Sequence, residues 1–210
     1  MSENTNTNTT ATTATTMQAV VVDGFGGPEQ VRIVEVPLPR PEAGQVRVRV
    51  RAAGINPVDG AVRVGVFGGA GQRIGLGWDV AGEIDELGAE VSGWSVGQQV
   101  IGLHYGPVKP LGTHAEYAVL DASALAPAPA AVDAAAAAAL PLSGLTAGRA
   151  VRLLDLAPGS SVLVTGAAGV VGGLAVQLAA RAGLVVTALA GEEDEELVRS
   201  LGAAAVSYTH

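Results

Sequence analysis

The chain has no cysteine and one lysine, and each shortage closes off a class of function. Without cysteine there is no disulfide, no thiolate nucleophile and no cysteine-ligated zinc site. Lys109 stands alone beside eleven arginines, and 20 Asp and Glu bring the net charge to −8. A nucleic-acid binder needs a basic surface to displace counterions, so this balance argues against one. No apolar run reaches the roughly 18 residues that a membrane span needs, so no membrane partner is expected. Residues 1–16 are Thr, Asn, Ala and little else, without the basic start or apolar core of a signal peptide. A disordered tail over 1–16 and a cytoplasmic location are the expectations. Histidine is scarce too. His104, His114 and Glu116 lack tight ligand spacing, so no metal site is expected.

What the chain does have is apolar residues, 49% of the total, and 29 glycines. From Met17 short β patterns alternate with turns: Gln18–Val22, Val31–Val36, Val46–Arg51, Trp78–Ile84, Gln99–Leu103 and Gly112–Val119. Such spacing implies a barrel-like β domain over 17–126. Arg47, Arg49 and Arg51 share one face of a strictly alternating strand; they form either a solvated face or an anion site. Asn56, before Pro57, suits the N-cap of a short helix. After Ala126-Pro127-Ala128-Pro129 the pattern changes to alternating helix and strand, the signature of a parallel α/β sheet over 127–210.

Within that second half, the apolar strand Ser161–Thr165 stops at Gly166-Ala167-Ala168-Gly169-Val170-Val171-Gly172, and a helical pattern begins at once. Glycines let a backbone approach a pyrophosphate, and a helix N-terminus offers unpaired N–H groups and partial positive charge. A second strand, a second helix with an acidic start and a third strand follow. That order is the context a dinucleotide fingerprint requires.

Several stretches carry a family likeness: Ala53-Gly54-Ile55-Asn56-Pro57-Val58-Asp59, Gly77-Trp78-Asp79-Val80-Ala81-Gly82, Leu140-Pro141-Leu142-Ser143-Gly144-Leu145-Thr146-Ala147, the glycine turn and Leu201-Gly202-Ala203. With them the chain resembles the zinc-independent, quinone oxidoreductase-like branch of the medium-chain dehydrogenases/reductases. The resemblance implies an α/β plus β fold: a GroES-like β-barrel domain followed by a partial Rossmann domain, that is, a doubly wound parallel sheet. It implies hydride transfer from a nicotinamide cofactor to a quinone or conjugated enone, without metal. Asn56 and Asp79 are the implied catalytic-site residues. Asn56, Thr146, Gly166, Ala167, Ala168, Gly169, Val170, Val171, Ala190 and Gly191 are the implied cofactor contacts. Zinc relatives carry ligands where this chain has Gly54 and Trp78-Asp79, which fits a metal-free site. Asp79 is equally suited to a structural role, and no residue is a compelling general acid, so water is the expected proton source.

Two features depart from the resemblance. NAD-using relatives place Asp at the end of the second strand, where Leu189 stands here. NADPH-using relatives place Ser or Thr and then a cation, where this chain has Ala190, Gly191 and Asp194. Glu192, Glu193 and Asp194 suit a helix N-terminus and would repel a phosphate. The family's weight still sets NADPH over NADH as the expectation. The second departure is length: only three of the six strands of a complete sheet are legible. A truncated member is therefore expected, and the alternative function is an inactive fragment that binds nucleotide weakly or self-associates through its exposed sheet edge.

Overall fold

The computed structural model describes residues 15–208. Residues 1–14 of the expected tail lie outside the described residues, and Thr16 already opens the first strand. The β half contains β1 (Thr16–Val22), β2 (Val31–Pro37), β3 (Gln45–Ala52), α1 (Pro57–Arg63), β4 (Ile74–Gly75), β5 (Asp79–Leu87), β6 (Gln99–Leu103), β7 (Tyr117–Asp121) and β8 (Leu125–Pro127). Three strands pair in the order β2-β1-β4, and five in the order β7-β3-β5-β6-β8, with all pairings antiparallel. A bridge between Ala19 and Ala115 ties the two sheets.

Alternation decides which faces meet. Val46 and Val48 of β3, Val80 and Ile84 of β5, Val100 of β6 and Leu120 of β7 close one core. The opposite face of β3 carries its arginines. Arg47 pairs with Asp85 and Glu86, and Arg49 and Arg51 pair with Glu83. These pairs leave the arginines as a charged outer face, so the anion-site alternative drops out.

The second half contains α2 (Ala134–Ala138), α3 (Pro141–Leu154), β9 (Ser161–Thr165), α4 (Val170–Arg181), β10 (Val185–Ala190), α5 (Glu195–Ser200) and β11 (Ala205–Tyr208). The three strands are parallel in the order β11-β10-β9. The central strand buries Val186 and Ala188 against Val176 and Ala179 of α4 and Val198 of α5. Helix α4 closes as its sequence suggests, with Gly183 at φ +78° just past its end. No helix among the described residues is long and apolar enough to cross a membrane.

Several boundaries differ from the sequence reading, each for a local reason. Ile74–Gly75, outside every β pattern the sequence shows, forms β4, a two-residue strand held on β1. The stretch Leu125–Pro127 pairs with β6, so the β half runs up to the point where the sequence pattern changes. Pro141 begins α3 as well as ending the alanine helix, because a first-turn position needs no N–H donor. The acidic helix expected from Glu192 starts as a single 3-10 turn over Glu192–Asp194. Alanines 137 and 138 pack on Ala81 of the β half, so α2 rides on that half.

Candidate active site

The two halves meet across a cleft of about 770 Å³. Gly54, Asn56 and Asp79 line it from the β half, the glycine turn and the start of α4 line it from the other, and Ser143 of α3 lies between.

Asp79 pins the first wall. It is 1% exposed, with both carboxylate oxygens in use. Oδ2 accepts from Asn56 Nδ2 at 2.6 Å, and Oδ1 accepts from the Leu142 backbone N–H at 2.6 Å. Leu142 lies in the first turn of α3, where N–H groups have no partner inside the helix. A carboxylate on β5 thus caps the helix that leads into the other half. Burial pushes the Asp79 carboxyl above its ordinary range, opposed by those two hydrogen bonds.

A second buried carboxylate, Asp59 of α1, holds the same wall from behind. Its Oδ2 accepts from the Asn56 N–H and its Oδ1 from the Gly77 N–H, both at 2.8 Å. Asn56, the N-cap of α1, is therefore fixed through its backbone by Asp59 and through its amide by Asp79. Gly54 must stay small: a Cβ there would lie 2.8 Å from Asp79 Oδ2 and 3.0 Å from the Ala138 carbonyl oxygen. The His114 ring donates from Nε2 to the Gly54 carbonyl at 2.8 Å, fixing the tautomer.

Behind this wall Lys109 is buried over the Trp78 ring, 4.5 Å from its centroid, and donates to the His104 carbonyl at 2.6 Å. Burial pulls the Lys109 ammonium down to about 8 and the His104 imidazole down to about 4. Tyr105 meets Trp78 edge to face at 5.8 Å.

On the opposite wall, Gly166 adopts φ +60°, which turns the chain from β9 towards α4. A Cβ at Gly172 would lie 2.1 Å from the Gly166 carbonyl, so the third glycine of the spacing lets the helix sit against its own turn. Gly169 is the N-cap of α4, and Val170, Val171 and Gly172 follow as its first turn.

A profile for the alcohol dehydrogenase GroES-like domain matches residues 42–130. The chain is 37% identical over 199 residues to a chloroplast envelope quinone oxidoreductase homolog of Arabidopsis thaliana, across 89% of this chain and 59% of that protein. It is 36% identical to an NADPH-dependent alkenal/one oxidoreductase of the same plant, across 92% of this chain and 53% of that one. A solved structure described as an NAD-dependent alcohol dehydrogenase superposes with a TM-score of 0.82 at 34% identity, covering 91% of this chain and 63% of that one. The likeness to quinone oxidoreductases and alcohol dehydrogenases runs over about nine-tenths of this chain. The chain spans 59% of the length of the first of these relatives.

Around this cleft the expected site residues separate into two groups. Asn56, Asp79, Gly166, Gly169, Val170 and Val171 come together along the cleft. Thr146 does not line it: its hydroxyl donates to the Leu142 carbonyl at 2.7 Å, four residues earlier on α3. Ala167 is fully buried and gives its N–H to the Leu189 carbonyl at 3.2 Å, so it knits the turn to β10. Ala168 packs beside the same core, and Ala190 and Gly191 mark the end of β10. Among the described residues no three of His, Asp and Glu gather as a ligand set.

Asp59, Leu142 and Ser143 also belong to the site, beyond the residues expected from the sequence. The signal for Asp59 was present in its spacing three residues after a helix N-cap, where an acidic side chain reaches back to the cap. Leu142 carried none, because its part is played by a backbone N–H.

Proposed function

We propose that this chain works as a nicotinamide-dependent oxidoreductase that passes hydride to a quinone or conjugated enone without a metal. The observation that carries this reading is the apposition of the α4 N-terminus and the Asn56–Asp79 pair across one cleft. The first-turn N–H groups of Val170, Val171 and Gly172 have no acceptor within the helix, and the helix adds partial positive charge, so the pyrophosphate of a dinucleotide fits there. The cofactor, when bound, supplies the hydride. The chain's own residues fix the partners in place. Asp59 and Asp79 hold Asn56 at two points, so its remaining amide oxygen has a set position on the wall. Asp79 acts as a positioning carboxylate, since both of its oxygens are engaged.

The names of the relatives support a quinone or enone acceptor, and they include both an NADPH-dependent and an NAD-dependent enzyme. An acceptor already activated by conjugation needs no Lewis acid. The packing at Gly54 fits that, since a ligating side chain there would displace Asp79. Titration with NADH and NADPH, read by nicotinamide fluorescence, tests the reading first; saturable micromolar binding of one of them is expected, followed by oxidation of that nucleotide on adding a small quinone. No saturable binding of either would sink it.

One observation favours a second reading, self-association. β9 is the outer strand of its three-stranded sheet, and Leu163 at its centre is 59% exposed. On size-exclusion chromatography this reading expects a dimer or larger species, and a clean monomer at all concentrations would refute it.

A further inference from the structure

We propose that the protein carries a second binding site, separate from the cleft, that takes a small organic carboxylate on Lys109 and His104. A cavity of about 200 Å³ lies on the β half and shares no lining residue with the cleft. Lys109 and His104 line it together with Pro39, Leu111, Tyr117 and Val119. Its volume falls below the roughly 300–1,000 Å³ of sites for drug-sized ligands, so an occupant has only a few heavy atoms.

The charge at this place is unbalanced. Lys109 is the only lysine of the chain and is 8% exposed. A buried cation is costly unless a counter-ion and hydrogen bonds compensate it. Among the described residues Lys109 enters no ion pair. Asp59 and Asp79 act on it only from a distance, and their oxygens are already taken by Asn56, Gly77 and Leu142. An ammonium has three N–H groups. One donates to the His104 carbonyl and the Trp78 ring covers the ammonium on one side, which leaves donor capacity unused.

His104 adds a second unused group. Its Nδ1 is buried and has no hydrogen-bond partner among the described residues. Burial pulls this imidazole down to about 4, so near neutral pH it carries one N–H, and with that proton on Nδ1 it is a donor. The remaining Lys109 N–H and the His104 Nδ1–H suit the two oxygens of one carboxylate, which also supplies the missing counter-charge. The apolar wall of Pro39, Leu111 and Val119 suits a short hydrocarbon body and not the further oxygens of a phosphate.

Butyrate is the probe, butyramide its uncharged counterpart, and sodium chloride keeps ionic strength equal throughout. In thermal unfolding of the full chain, butyrate should raise Tm saturably and butyramide should not. Lys109→Met should abolish the response. Because the chain holds one lysine, protein made with isotope-labelled lysine gives a single lysine side-chain signal by NMR. Its titration midpoint, about 8 in the free protein, should move up with butyrate. The shift is about one unit for each tenfold by which the ammonium binds butyrate better than the neutral amine does. Butyrate no better than chloride, or butyramide as good as butyrate, would overturn the site. So would a Tm response that survives in Lys109→Met, or a wild-type lysine signal that stays in place at saturating butyrate. Inorganic phosphate as effective as butyrate would overturn the assignment to an organic acid.

Discussion

Replacing Asp79 separates its geometry from its charge. In Asp79→Ala, the Leu142 N–H and the Asn56 amide lose an ionised acceptor, each bond now 2.6 Å long. A hydrogen bond to a charged group contributes about 1.5–3 kcal/mol. Asn56 is only half-buried and its amide can turn to water, so its loss falls below that range. The Leu142 N–H at the helix start carries the rest. Removing a carboxylate that is 1% exposed returns part of its desolvation cost. The net expectation is a loss of about 2 kcal/mol, or about 4–8 °C in Tm for a chain of this size. Asp79→Asn keeps an oxygen for Leu142, and its new N–H₂ meets Asn56 once the Asn56 amide flips, so the cost should stay below about 1 kcal/mol. Urea unfolding read by tryptophan fluorescence measures both, since Trp78 is the neighbouring residue. Asp79→Ala unfolding within about 0.5 kcal/mol of wild type would refute the pinning role. Asp79→Asn as damaging as Asp79→Ala would show that charge, not hydrogen-bond geometry, holds α3 in place.

Burial holds the folded-state Asp79 carboxyl above its ordinary 3.8, so the native state binds the extra proton; wild type should therefore lose stability relative to Asp79→Asn as pH rises from about 3.8. Lys109 titrates at about 8 in the fold against 10.5 when unfolded, so between those values the unfolded chain binds the extra proton and stability rises with pH. The rise is on the order of 3 kcal/mol, and it should vanish from urea unfolding curves of Lys109→Met. Gly172→Ala drives a methyl to 2.1 Å from the Gly166 carbonyl, and overpacking of that kind costs about 1–3 kcal/mol; nucleotide binding should weaken with it in the same titration. Gly144→Ala, inside α3 with open space around the added methyl, should instead stabilise by about 0.5–1 kcal/mol in thermal unfolding.

Periodicity made β1, β3 and α4 legible, because each buries one face and its alternation or helical spacing follows from that, whereas β9 was legible as a short apolar run that stops at glycines. β4 and β8 were not legible. They are two and three residues long, and they exist because a neighbouring strand leaves hydrogen-bonding groups open, a tertiary cause that a local pattern does not carry. The glycine spacing marked where the turn between β9 and α4 lies. It did not tell that the Ala167 N–H is turned inward to Leu189, since backbone direction within a turn depends on the strand beside it. Thr146 shows the same limit on a helix: a threonine hydroxyl four residues after a free carbonyl satisfies itself locally.

Under the proposed function, acidic residues crowd a site that receives an anion. Asp59 and Asp79 are both buried on one wall, and a dinucleotide brings further negative charge to the cleft. The two walls resolve the conflict by spending their charges differently. On the β half each carboxylate oxygen is already bonded, to the Asn56 amide and backbone, to Gly77 and to Leu142, so the negative charge is drawn into orienting N–H groups. On the α/β half no such carboxylate lines the cleft, and under the proposed function a pyrophosphate would meet the bare first turn of α4. Asp79 then does for α3 what a pyrophosphate would do for α4: it supplies the anion that a helix N-terminus lacks. Both helices start on the same cleft, one capped by the protein and the other without a side-chain cap, and that asymmetry is why the proposed function gives the ligand to α4.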